Sequence, residues 1–289
     1  MSGGPRGLQN RSRLVTRVEV SSIPTLSAKV PTCLEWTKTV RRFEEENEIS
    51  VGQSMTPDIT DGTKWYVVFL FSTSLHEAAH AWSAYRFGDD TAYRGGQVSL
   101  NPAAHIKREP IGMVVVPLVS YFLGGWMIGW ASAPYNREWA VQFPRRSALM
   151  ALAGPAANLL LVVLAAVLMR VGFEWGVFQR PLHGGMIEIV SASGDREGWW
   201  AFCAKMVSLF FSLNLLLGAF NLIPLPPLDG SSLPFLFLDE GGAQKYRAAL
   251  HHPSFMWLGL FVAWKVFDFI YPPIFQGALK LLYLMLLGR

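Results

Sequence analysis

Cysteine is nearly absent: Cys33 and Cys203 are the only two in 289 residues. A pair so far apart excludes both a disulfide framework and a thiolate-rich zinc site. Charge is scarce too. Asp, Glu, Lys and Arg together make up 16% of the chain, against about a quarter in a soluble domain. The net charge is only +4, and no basic stripe with interleaved aromatics marks a nucleic-acid surface. Residues 1–64 lack an apolar run of signal-peptide length, so the first apolar segment is expected to direct the chain to its membrane. There is no repeat at a solenoid period, and no polar linker long enough to separate a second folded domain.

Apolar residues are what the chain has. They reach 51%, with 11 Trp, 19 Phe and a mean hydropathy of +0.28. A disordered chain, a coiled coil and an ordinary cytosolic enzyme are excluded, leaving an all-α polytopic membrane protein.

Residues 1–64 read as a polar N-terminal extension, partly helical around 34–48. An apolar segment follows at 65–86, and it places ionisable groups at membrane depth. Residues 111–136 carry no charge but are interrupted by Pro117 and Gly124-Gly125. The uncharged run 147–169 is 23 residues, roughly 35 Å as a helix and long enough to span. A second such run, 206–228, ends in prolines just before Asp229 and Gly230. In the tail, 254–288, two weaker segments are expected on either side of Pro272-Pro273, with Lys265 and Asp268 spaced to pair on one helix face.

His76, Glu77 and His80 form H-E-x-x-H in the first apolar segment. Four residues apart on a helix, both imidazoles can reach one metal ion, while Glu77 is set to contact a water beside it. Ionisable groups inside a membrane segment are functional by default. A hydrolytic zinc site wants three protein ligands and one open position. Asp229 stands out as the third, because the prolines before it end the helix and Gly230 allows a turn that aims the carboxylate into a cavity. Glu109 and Glu138, both in polar loops, are its rivals.

His76 to His80 (HEAAH) together with Asn221 to Gly230 (NLIPLPPLDG) resembles the site-2 protease family, peptidase family M50, of intramembrane zinc metalloproteases. GDDTA from Gly88, LNPAAH ending at His105, Pro110-Ile111-Gly112, Gly129-Trp130-Ala131 and AGPAAN from Ala153 to Asn158 are similar to its compact branch, which lacks a PDZ domain. The resemblance implies one Zn2+ per chain held by His76, His80 and Asp229, with Glu77 as general base. Substrates would be membrane proteins, cut within or beside their transmembrane segments. Asn221 matches the asparagine opening the second motif, where it would bind substrate or the developing oxyanion, with a hydrogen bond between helices as the alternative reading. His105 falls where the branch has a histidine that would orient the loop or hydrogen-bond behind the site, but two extra residues separate it from Pro110, and an ordinary loop histidine is the alternative. Asn158 reads as a helix-packing residue beside Gly154, and His183, His251 and His252 as surface residues.

Sharing one metal requires the H-E-x-x-H helix and the helix before Asp229 to run in the same direction, with the GPxxN helix antiparallel between them. Segment 111–136 must then enter and leave on one side, as a re-entrant hairpin. The domain reading is an N-terminal extension at 1–64, a metalloprotease core at 65–235 and C-terminal membrane helices at 236–289. Arg86, Arg94, Lys107 and Arg108 favour a cytosolic loop after the H-E-x-x-H helix, whereas the nine Lys and Arg of residues 1–64 pull the other way. The family points to a prokaryotic cytoplasmic membrane. A catalytically silent scaffold for client proteins and a metal transporter are the competing readings, although no internal inverted symmetry supports the transporter.

Overall fold

The computed structural model describes residues 58–124, 127–181, 185–194, 196, 198–250 and 253–287. Residues 1–57, including the helix expected around 34–48, lie outside the described residues, as do His183, His251 and His252.

Helix α1, Ile59–Phe87, starts six residues before the apolar run because Asp58 caps it, accepting a hydrogen bond from the Thr60 amide at 2.9 Å. Its inward stripe is polar: Ser72, Thr73, Ser74, His76, Glu77 and His80 are all buried. Among the described residues, three other helices are long and apolar enough to cross a membrane: Pro144–Glu174, Trp199–Asn221 and Met256–Leu286. At 29 residues, α1 has the length without the apolarity, because it spends its inner face on polar groups.

Two short helices, α2 (Thr91–Arg94) and α3 (Pro102–Arg108), follow α1. A π-helical turn at Ile111–Val115 then leads into α4, Val116–Gly124, and the chain returns without helix over 127–136. The return leg is bonded to the outgoing one: the Trp130 amide donates to the Gly112 carbonyl at 3.1 Å and the Ile128 amide to Ser120 Oγ at 2.9 Å. At the base, Arg108 Nε donates to the Ser132 carbonyl at 3.0 Å and Ser132 Oγ to Glu109 at 2.5 Å. Toward the tip, the Tyr121 hydroxyl donates to the Asp58 carbonyl, at the far end of α1, at 2.7 Å. The segment therefore crosses most of the thickness and comes back, giving the expected re-entrant hairpin.

After α5 (Arg137–Gln142), α6 (Pro144–Glu174) runs antiparallel to α1, with Met150 beside His80 and Asn158 beside His76. A two-stranded ribbon, Phe178–Gln179 against Ser191–Ala192, precedes α7, Trp199–Asn221. Lys205 near the start of α7 pairs with Asp61 near the start of α1 at 2.5 Å, so these two helices run the same way. Apolar contact locks the arrangement: Trp65, Val68 and Phe69 of α1 pack with Leu209 and Leu213 of α7. Ala165 and Met169 of α6 pack with Val207, Phe211 and Leu215 of α7.

The run 206–228 is helical only to Asn221. Prolines 224, 226 and 227 turn the chain, and a 3-10 helix follows at Asp229–Leu236. After α8 (Glu240–Leu250), the tail is one helix, α9, Pro253–Leu287, and not the two segments expected on either side of Pro272-Pro273. Two adjacent prolines delete two ladder donors, but both are exposed here, so their rings meet no packed neighbour, and membrane helices tolerate such gaps. Lys265 and Asp268 are exposed and form no ion pair with each other. Helix α9 retraces the thickness, from Ala263 packed near Ile223 and Leu228 to Arg170 donating to the carbonyls of Met285 and Leu286 at 2.5 and 2.9 Å.

Candidate metal centre

Helical periodicity puts His76 and His80 on one face of α1, their rings edge to face with centroids 4.6 Å apart. Each imidazole is held from behind. His80 Nδ1 donates to the Met150 carbonyl at 2.8 Å, and His76 Nδ1 to Asn158 Oδ1 at 2.5 Å. Donation through Nδ1 leaves the lone pair on Nε2, and both Nε2 atoms face the same point, 2.9 Å from each other.

Asp229 brings a third potential ligand atom to this point, with Oδ2 lying 3.1 Å from His76 Nε2 and 3.3 Å from His80 Nε2. The local chain explains its aim. Gly230 is pressed against the end of α7, where a Cβ would come within 2.3 Å of the Leu222 carbonyl oxygen. From the other side α6 closes the site with Gly154, whose Cβ would lie 2.3 Å from His80 Nε2 and 2.5 Å from His76 Nε2. Only a residue without a side chain lets α6 approach the imidazoles so closely.

The three ligand atoms all lie within 4.8 Å of one another. Tetrahedral bonds of ~2.0–2.1 Å require ligand atoms about 3.3–3.4 Å apart, and the observed edges of 2.9–3.3 Å match within a few tenths of an ångström. Two neutral imidazoles and one carboxylate are also a donor set that suits zinc. The histidine side chains are 9% and 8% exposed and that of Asp229 is 23% exposed, so access to the site lies on the carboxylate side.

Of the three carboxylates weighed from the sequence, only Asp229 reaches the histidines. Glu109 accepts from Ser132 in the hairpin base, and Glu138 is exposed in the first turn of α5. Glu77 is buried, and among the described residues no hydrogen bond occupies its carboxylate. Asn221 donates one amide hydrogen to the Leu217 carbonyl of its own helix at 3.1 Å. His105 is fully buried and bonds the Ser99 carbonyl at 2.8 Å, fastening the loop before α3 without joining the ligand atoms. Asn158 does more than pack, since it holds His76. Behind it lies Asn214, equally buried, which sequence reasoning missed. The available signal was an amide in each of two otherwise uncharged helical runs, where polar side chains bond across helices.

A multi-helix membrane protein in which one helix carries both histidines of H-E-x-x-H and an unwound turn supplies a carboxylate to the same point has the build of a metallopeptidase. The chain belongs to peptidase family M50, whose model matches residues 65–259. It is 32% identical to the "Putative zinc metalloprotease YwhC" of Bacillus subtilis (strain 168) over 197 residues, 68% of this chain and 78% of that protein. It is also 32% identical to proteins named "Putative zinc metalloprotease Rip2" from Mycolicibacterium smegmatis and Mycobacterium tuberculosis, over 56% of this chain and 52% of theirs. No solved structure matches the chain significantly. Family membership makes this a peptidase of the site-2 protease type and implies zinc.

Proposed function

We propose that the chain is an intramembrane zinc endopeptidase that cleaves peptide bonds within or next to transmembrane segments of other membrane proteins. The observation that carries this is the convergence of His76 Nε2, His80 Nε2 and Asp229 Oδ2 on one point, with an unengaged Glu77 carboxylate beside it on α1. His76, His80 and Asp229 would hold one zinc per chain, which would supply the Lewis acidity that activates a water and polarises the scissile carbonyl. Glu77 accepts the proton of the attacking water and delivers it to the leaving amine, so the proton count closes over the cycle. The remaining amide hydrogen and the carbonyl oxygen of Asn221 are available to an extended substrate backbone, and His105 supports the loop leading into the hairpin.

Residues 65–235 form the catalytic unit in this reading, and 236–289 add one further membrane helix, α9, beside it. The segments connecting helices on the metal side carry six Lys and Arg (Arg94, Lys107, Arg108, Arg137, Lys245 and Arg247), against Arg180 and Arg196 on the other side. That bias favours the metal side facing the cytoplasm of a prokaryotic cell, while the nine Lys and Arg of residues 1–64 favour the opposite orientation.

The test is zinc per purified chain, wild type beside Asp229→Ala, followed by turnover with Glu77→Gln on single-span membrane substrates. Near one zinc in wild type and a marked loss in Asp229→Ala are expected. Glu77→Gln should keep its zinc and lose about 10²–10⁴-fold in turnover. Full activity in Glu77→Gln overturns the mechanism, and no zinc in metal-replete wild type leaves a client-binding scaffold.

A further inference from the structure

The two histidines are held from behind by different means. For His80 the acceptor is a backbone carbonyl, Met150, which can only accept, so its Nδ1 must carry the hydrogen. For His76 the acceptor is a side-chain amide, and an amide can turn around: Asn158 presents an oxygen or an NH2 according to its rotamer. Something must fix which end faces the imidazole.

The hydrogen bonds behind Asn158 do so. Asn158 Nδ2 donates to Asn214 Oδ1 at 2.8 Å, and Asn214 Nδ2 donates to the Phe210 carbonyl and to Ser72 Oγ, both at 2.9 Å. Every side chain in this line, Ser72 included, is completely buried, so water cannot substitute for a lost partner. The polarity is set at the far end. A carbonyl oxygen can only accept, so Asn214 must turn its NH2 to Phe210 and its oxygen to Asn158. Asn158 must then offer its NH2 to Asn214 and its oxygen to His76. The imidazole is left to donate from Nδ1 and keep Nε2 bare.

We infer that Asn214, which bonds no ligand residue itself, is a positioning residue that fixes the tautomer and ring orientation of His76 through Asn158. The inference rests on the metal-centre reading above. Both histidines then answer to a main-chain carbonyl: His80 directly, and His76 through two amides that join α1, α6 and α7.

The test separates polarity from packing with an isosteric pair. In Asn214→Thr the hydroxyl donates to the carbonyl four residues back and offers a lone pair outward, whereas Asn214→Val has the same shape and neither capability. The readouts are zinc affinity by chelator competition and the visible spectrum of the cobalt-substituted protein, which reports ligand geometry without turnover. Asn214→Val should weaken zinc binding by about 10–100-fold, the usual cost of losing an outer-shell partner, and shift the cobalt bands. Asn214→Thr should recover much of both. Asn158→Leu should match Asn214→Val, and the double variant should be no weaker than Asn158→Leu alone, because the two residues act in series. Equal affinities for the Thr and Val variants, or losses that multiply in the double variant, overturn the relay. Wild type that binds zinc and Asp229→Ala that does not keep the metal-centre reading standing whichever way the relay falls.

Discussion

At Gly154 the sequence has no latitude. A single added methyl would occupy the space of both imidazole nitrogens, and α6 cannot retreat while Leu161 and Ala165 remain packed in the interior. Gly154→Ala is expected to destabilise the protein by about 1–3 kcal/mol through overpacking and to weaken zinc binding, checked by thermal unfolding and chelator competition on one preparation. The three side chains that converge were legible in the sequence: His76 and His80 by their spacing, Asp229 by its place after a proline-broken helix. Residues that act through a neighbour were not. Asn158 and Asn214 stand 56 positions apart, and only the register between two packed helices reveals that they touch.

Among the elements, the hairpin is the one whose path follows from the site it serves. The need for α1 and α7 to be parallel forces segment 111–136 to turn back, with helix α4 ending at Gly124. Its mechanics lie in side chains that the sequence does not pair, such as Ser120 accepting from Ile128 and Ser132 donating to Glu109. With Cys33 and Cys203 replaced, single cysteines at Glu109 and Ser132 should react with an impermeant maleimide from the same side of the membrane. Labelling from opposite sides would mean a straight span and would separate Asp229 from the histidines. Tyr121→Phe removes the hydroxyl that ties the hairpin to the Asp58 carbonyl and should lower stability by about 1 kcal/mol in a denaturant titration. The tail shows the opposite limit of sequence reading. Pro272-Pro273 signals a break, yet two lost donors are too few to stop a helix whose prolines face outward.

For the whole molecule, the helix directions fix parity. Helices α1 and α7 point one way and α6 and α9 the other, while the hairpin adds nothing to the count. With α1 crossing beside the three apolar helices, as the proposed function requires, residue 58 and residue 287 lie on the side opposite the candidate metal centre. Reporters fused after residue 289 should report the extracytoplasmic side, and reporters inserted between α8 and α9 the cytoplasm. A cytoplasmic signal at the C-terminus would reverse the orientation or remove a crossing. Positive charge stays divided once the crossings are counted, since the connecting segments favour one orientation and the nine Lys and Arg of residues 1–64 the other.

The distance in sequence between His76 and Asp229, 153 positions, sets a schedule. During synthesis at ~5–20 residues per second, roughly 8–30 s separate the first ligand from the last. Throughout that interval the histidines are inserted beside other nascent helices with no carboxylate to complete the centre. On the proposed mechanism the nascent chain therefore has no complete centre, and no peptidase activity toward neighbouring helices, until Asp229 has been added.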